Sequence, residues 1–140
     1  EELLQHIDTL ARVSEVPQRE LIRARALETL GRGTEARAVL RGAVEHSPYF
    51  KEARSQFIHS QILAGELALA LDHAHAGMEL FPKDAQFLLY VARIHAQQTL
   101  WDEAAAEYQA VIERGMSDAQ VLDEAAQVSR HQTGTFVPKN

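Results

Sequence analysis

Residues 36–48 read ARAVLRGAVEHSP, residues 70–82 read ALDHAHAGMELFP, and residues 104–116 read AAAEYQAVIERGM. Laid over one another at a spacing of 34 residues, the three stretches agree in several columns. A small residue opens each (Ala36, Ala70, Ala104). An apolar residue (Val44, Met78, Ile112) and then a glutamate (Glu45, Glu79, Glu113) follow. Pro48 and Pro82 close the first two stretches, and Met116 stands in that place in the third. A fixed period of this size marks one supersecondary unit copied along the chain. It sets three tandem units, 17–50, 51–84 and 85–118.

Each unit reads as two helices. In the first, Pro17 suits an opening turn, where a missing N–H costs nothing. Helical residues run to Leu30, Gly31 and Gly33 break the chain, and Thr34 is placed to cap a second helix to about His46. In the second, a helix from about Lys51 to Ala64 ends at Gly65, and another spans Glu66 to Leu80 before Pro82. In the third, Asp84 is a good N-cap for a helix to about Gln98. Thr99 followed by Asp102 resembles a capping box for a helix ending near Arg114, with Gly115 behind it. Ser117 is expected to cap a further helix to about His131, so that 119–132 is the first helix of another unit or a cap. Leu3, Leu4, Ile7 and Leu10 lie at helical spacing and make 1–16 the second helix of a preceding unit. Residues 133–140 read as a linker or tail.

The whole-chain values fit this picture. The chain has 140 residues, 46% hydrophobic and 24% charged, which are ordinary globular values. Abundant alanine with few glycines and prolines favours helices over sheets. A net charge of −6 repels phosphate backbones and disfavours a nucleic-acid partner. With no cysteine, disulfides, thiolate chemistry and cysteine-held metal centres are excluded. No segment approaches the roughly 18 consecutive apolar residues of a membrane span. The chain opens on Glu1 without a methionine and reads as a piece of a longer protein; its compartment, periplasm or cytoplasm, stays open.

A 34-residue helix–turn–helix period with small residues at the helix contacts and a proline behind the second helix resembles the tetratricopeptide repeat. The residues that carry the resemblance are Ala36-x3-Leu40, Ala70-x3-Ala74, Ala104-x3-Tyr108, Pro48, Pro82, Ala24 and Ala92. Ile58 replaces the small residue of the second unit, and Leu27, Gln61 and His95 stand where the family carries an aromatic. The resemblance implies an all-α fold, a right-handed superhelical solenoid of antiparallel helix pairs. It also implies a concave surface lined by the first helix of each unit, and stability that comes from stacking.

In such a surface the inward phases recur every 34 residues. One phase is Arg25, His59, Arg93 and Gln127, and a second is Ile22, Gln56, Tyr90 and Glu124. The candidate partner-binding set is therefore Arg25, Gln56, His59, Tyr90, Arg93 and Gln127. Arginine grips carboxylates through two parallel hydrogen bonds, which suits an acidic protein or peptide partner. Tyr90 offers a stacking face. The competing reading is that Arg25 and Arg93 pair with local acids. The lysine and asparagine set with which some relatives clamp C-terminal carboxylates is not matched: Leu21, Arg25, Gln56, Gln86 and Tyr90 stand there.

No catalytic constellation is visible. No serine sits in an elbow motif, and Gly31-Arg32-Gly33 is too short for a phosphate loop. His73 and His75 face different sides of a helix, and His-x3-His does not occur, so neither metal nor cofactor is expected. His95 is expected to be half-buried and hydrogen-bonded, Tyr108 to be core, and Trp101 to be partly buried at a turn. The reading is a non-catalytic protein-interaction scaffold. Its alternatives are a periplasmic segment of a bacterial exopolysaccharide export machine, docking a modifying enzyme or the polymer, and a spacer in a longer solenoid. Exposed end helices leave room for end-to-end self-stacking.

Overall fold

The computed structural model describes residues 3–4 and 16–135. Seven helices lie within residues 16–135: α1 Val16–Thr29, α2 Gly33–His46, α3 Lys51–Leu63, α4 Leu67–Leu80, α5 Ala85–Gln97, α6 Trp101–Glu113 and α7 Ala119–Thr135. Two compact units divide them, Glu1–Glu66 with α1 to α3 and Leu67–Asn140 with α4 to α7. Within each unit every helix packs on the next, and in unit 1 α1 also meets α3. Both units are helical-repeat structures, and no strand occurs among the described residues.

Small residues decide where the helices touch. Ala24, Ala36, Ala70, Ala92 and Ala104 are all fully buried, which lets neighbouring backbones approach. In unit 1 they meet Leu27, Leu40 and Phe57. Leu4, helical and 4% exposed, joins this core, while Leu3 is 41% exposed. Ile7 and Leu10 lie outside the described residues. In unit 2 the core is built from Leu88, Ala92, Tyr108, Val111, Val121 and Val128. Gly77 of α4 is a tighter case: a Cβ there would come within 2.5 Å of the Phe87 ring, which stacks on Phe81 at 5.6 Å.

The helix ends differ from the sequence reading in four places. α2 begins at Gly33 with Arg32 in the cap position, so Thr34 is not its cap. Instead the Arg32 guanidinium donates through Nε and Nη2 to the Glu35 carboxylate, both at 2.6 Å. The Thr99–Asp102 capping box is absent. Leu100 holds the cap position of α6 and makes no side-chain bond to it. Asp118, not Ser117, caps α7, accepting from the Val121 N–H at 3.0 Å. It lies 34 residues beyond Asp84, which caps α5 by accepting from the Gln86 N–H at 2.9 Å. α7 also runs to Thr135, so Gly134 and Thr135 are helical rather than linker, and 136–140 lie outside the described residues.

Thr99 has a different task. It takes φ +60°, and Gly65 at +80° one period upstream and Gly31 at +76° two periods upstream lie in the same left-handed region. In each case the left-handed residue donates its N–H to a carbonyl three residues back and the next residue donates to one five back, as in Leu100 N to His95 O at 2.9 Å. This paired closure satisfies the last carbonyls of a helix and favours glycine at the left-handed position. A β-branched threonine there carries local strain.

Candidate functional site

The six candidate residues fall in two groups, one in each unit. In unit 1, Arg25 of α1 and His59 of α3 are exposed, and neither has a side-chain partner among the described residues. Between them Gln56 donates its amide to Glu28 Oε1 at 2.6 Å, tying α3 to α1. Arg25 lies one turn before Glu28, and His59 lies one turn after Gln56, so the two flank this bond. Ile22, one turn before Arg25, is 37% exposed. Unit 1 therefore shows water a guanidinium, an imidazole and an aliphatic side chain around an amide–carboxylate hydrogen bond.

Unit 2 treats the same phase in the opposite way. Arg93 of α5 donates through Nε and Nη2 to the two oxygens of Glu124 on α7, at 2.9 and 3.1 Å. Tyr108 of α6 donates its hydroxyl to Glu124 Oε1 at 2.7 Å, and Gln120 donates to Oε2 at 3.1 Å. One carboxylate thus gathers donors from three helices. Burial disfavours the Glu124 anion, but the bonds from Arg93 and Tyr108 outweigh it and hold the carboxyl below the usual range. Burial lowers the Arg93 pKa, Glu124 raises it more, and the net movement is upward. The Tyr108 phenol is pushed well up, first by burial and then by the adjacent carboxylate.

Two expectations need correction here. Tyr90 is 7% exposed, with Arg93 Cζ 5.9 Å from its ring centroid, so it packs inward and offers no open stacking face. Arg93 is bound internally rather than presented. Gln127 is exposed and donates to Asp123 Oδ2 at 3.0 Å. Tyr108 is core, 2% exposed, yet its hydroxyl role escaped the reading of its apolar phase.

Other polar positions have structural partners. His95 Nδ1 lies 2.7 and 2.9 Å from the two oxygens of Glu107, half-buried between α5 and α6. Trp101 stacks on His131 at 4.3 Å with the rings 6° from parallel, and Gln132 donates to Asp102 at 2.7 Å, pinning the end of α7 to the start of α6. Among the described residues no three His, Asp or Glu side chains converge as a metal site requires, and no helix is long and apolar enough to cross a membrane.

Residues 59–119 match the family model described as tetratricopeptide repeat. Over that segment the chain is similar to the tetratricopeptide repeat. Solved structures agree on the fold. The first tetratricopeptide domain of human RPAP3 superposes with a TM-score of 0.76 at 13% identity, covering 85% of this chain and 94% of that one. The first such domain of Spaghetti (RPAP3), bound to the HSP90 peptide SRMEEVD, gives the same TM-score and identity over 86% and 95%. MamA of Desulfovibrio magneticus RS-1, from residue 41 to its end, gives 0.70 at 17% over 95% and 81%. No curated protein matches the chain by sequence. At these identities the similarity is one of fold, and the tetratricopeptide assignment leaves the site to be argued from its own side chains.

Proposed function

We propose that this tetratricopeptide chain is a non-catalytic protein-interaction module that receives an acidic peptide segment on the α1/α3 face of unit 1. The observation that carries the reading is Arg25, exposed and without a side-chain partner among the described residues, beside exposed His59 and Ile22. A guanidinium in this state can take a carboxylate through two parallel bonds without first giving one up. His59 adds a donor, and Ile22 gives an aliphatic side chain something to cover. The Spaghetti domain of similar fold is bound to a peptide with two glutamates and an aspartate, which supports this class of partner. Direct polysaccharide binding is less well served, because Tyr90 is buried and Glu124 is engaged with Arg93.

Crosslinking capture from the source cell tests the reading, comparing the chain with an Arg25→Glu, His59→Glu double variant. At least one protein is expected to be captured by the first and lost by the second, with its contact mapping to an acidic segment. Equal capture of every partner would remove the α1/α3 face as the interface.

A further inference from the structure

We infer that Glu124 is an internal stand-in for a partner's carboxylate: it occupies Arg93, closes unit 2 to acidic segments, and so leaves Arg25 of unit 1 to receive them. The inference rests on the reading of unit 1 just given, and it names the residue that decides which arginine is available.

The repeat register makes the two units directly comparable. Two periods separate Arg25 from Arg93, Glu28 from Ala96, Leu40 from Tyr108, Glu52 from Gln120, and Gln56 from Glu124. In unit 2 the acid at 124 faces Arg93 squarely, and each oxygen accepts one guanidinium bond and one further bond, from Tyr108 or Gln120. In unit 1 every part of that arrangement is altered. Position 56 is an amide, which turns to Glu28 at 2.6 Å. Leu40 has no hydroxyl, and Glu52 would repel a carboxylate where Gln120 donates to one. Arg25 is left in solvent.

Physically, Glu124 is a tethered competitor. A carboxylate held on the same folded chain acts at a high effective concentration, so a free acidic segment must displace it at a loss. The pair is only half-buried, with side chains 26% and 22% exposed, so Arg93 is within reach of a ligand once Glu124 is neutralised. Half burial also strengthens the internal pair above an exposed one.

The test uses the full chain, labelled with nitrogen-15, and reads the side-chain Nε–Hε signals of Arg25 and Arg93 during titration with a capped Glu-Glu-Asp tripeptide. In the native chain the Arg25 signal is expected to move and the Arg93 signal to stay. In Glu124→Gln the Arg93 signal is expected to move as well, its affinity for the tripeptide rising by roughly tenfold, the worth of one charge-assisted hydrogen bond. An Arg93 that already responds in the native chain, or stays silent in Glu124→Gln, overturns the inference. A silent Arg25 in both chains refutes the unit 1 reading, and the Arg93 response still decides the role of Glu124. A Glu28→Ala, Gln56→Glu double variant transplants the acid into unit 1, at two half-buried positions. It is expected to weaken the Arg25 response by roughly tenfold. An unchanged Arg25 response there counts against the inference even if Glu124→Gln does not fold.

Discussion

Units 1 and 2 use the same repeat to opposite ends. Residues 1–66 carry nine Lys and Arg against ten Asp and Glu, and residues 67–140 carry five against ten. Of the described basic side chains of unit 1, Arg25 and Arg41 are exposed, most others are part-buried, and Arg54 is buried. In unit 2 the arginine at the corresponding inward phase is held by a carboxylate, a phenol packs beside it, and little is left over. The cores differ in a parallel way. Ala43 and Ala53 of unit 1 correspond to Gly77 and Phe87 of unit 2, so one small–small contact has become a glycine under an aromatic ring. The comparison teaches that a repeat can keep its packing frame while exchanging a reactive surface for a cohesive one. A handful of substitutions at fixed phases suffices.

The sharpest way to break the contrast is Arg93→Glu, which sets two carboxylates against each other beneath Tyr108. It is expected to lower stability by about 2–4 kcal/mol, as when one partner of a part-buried pair is lost. Arg25→Glu is expected to stay within about 0.5 kcal/mol, as at an ordinary surface position. Urea unfolding of both variants measures the difference, and equal losses would dissolve the distinction between the two arginines.

Gly77→Ala comes next. The new methyl meets the Phe87 ring, and overpacking of this kind costs about 1–3 kcal/mol. Adding Phe87→Ala recreates the pairing of Ala43 with Ala53, and the clash disappears, leaving a cavity cost in its place. A thermal melt in which Gly77→Ala matches the native chain would show that the ring yields freely.

Acid should separate the units by a smaller amount. Glu124 titrates below its ordinary value of 4.5, so it contributes stability that is present above that value. That contribution is lost as pH falls through the lowered folded-state value. Unfolding midpoints between pH 6 and the acid limit are expected to fall less steeply for Glu124→Gln than for the native chain. Parallel curves would remove Glu124 from the acid response.

The smallest effect sharpens the comparison at a turn. Thr99 occupies the left-handed position that Gly31 and Gly65 hold upstream. Thr99→Gly relieves that strain but adds unfolded-state freedom, for a net gain of about 0.5–1 kcal/mol. Gly31→Ala is expected to lose a similar amount, because alanine is strained where φ is positive. Calorimetry that shows no gain for Thr99→Gly would mean the threonine is comfortable there. The sequence reading missed this column because a threonine before Asp102 also fits a capping box, and only φ tells the two apart.

The sequence by itself determined the helical repeat, because its signal is periodic and local. Alanines at 36, 70 and 104 must lie where helices touch, Asp84 must cap, and glycines at 31 and 65 must end their helices, whatever surrounds them. It also placed His95 at a half-buried contact and Tyr108 in the core. What it left open was the state of each inward side chain. Arg25 and Arg93 share a phase, a charge and a residue type, and pairing with a local acid was as plausible for one as for the other. Arg93 instead found Glu124, 31 residues away on another helix, with Tyr108 arriving from a third. Tyr90 turned inward and is buried. Only the tertiary structure decided these, because the energy of an arginine depends on which carboxylate reaches it first, and that is set by how three helices pack.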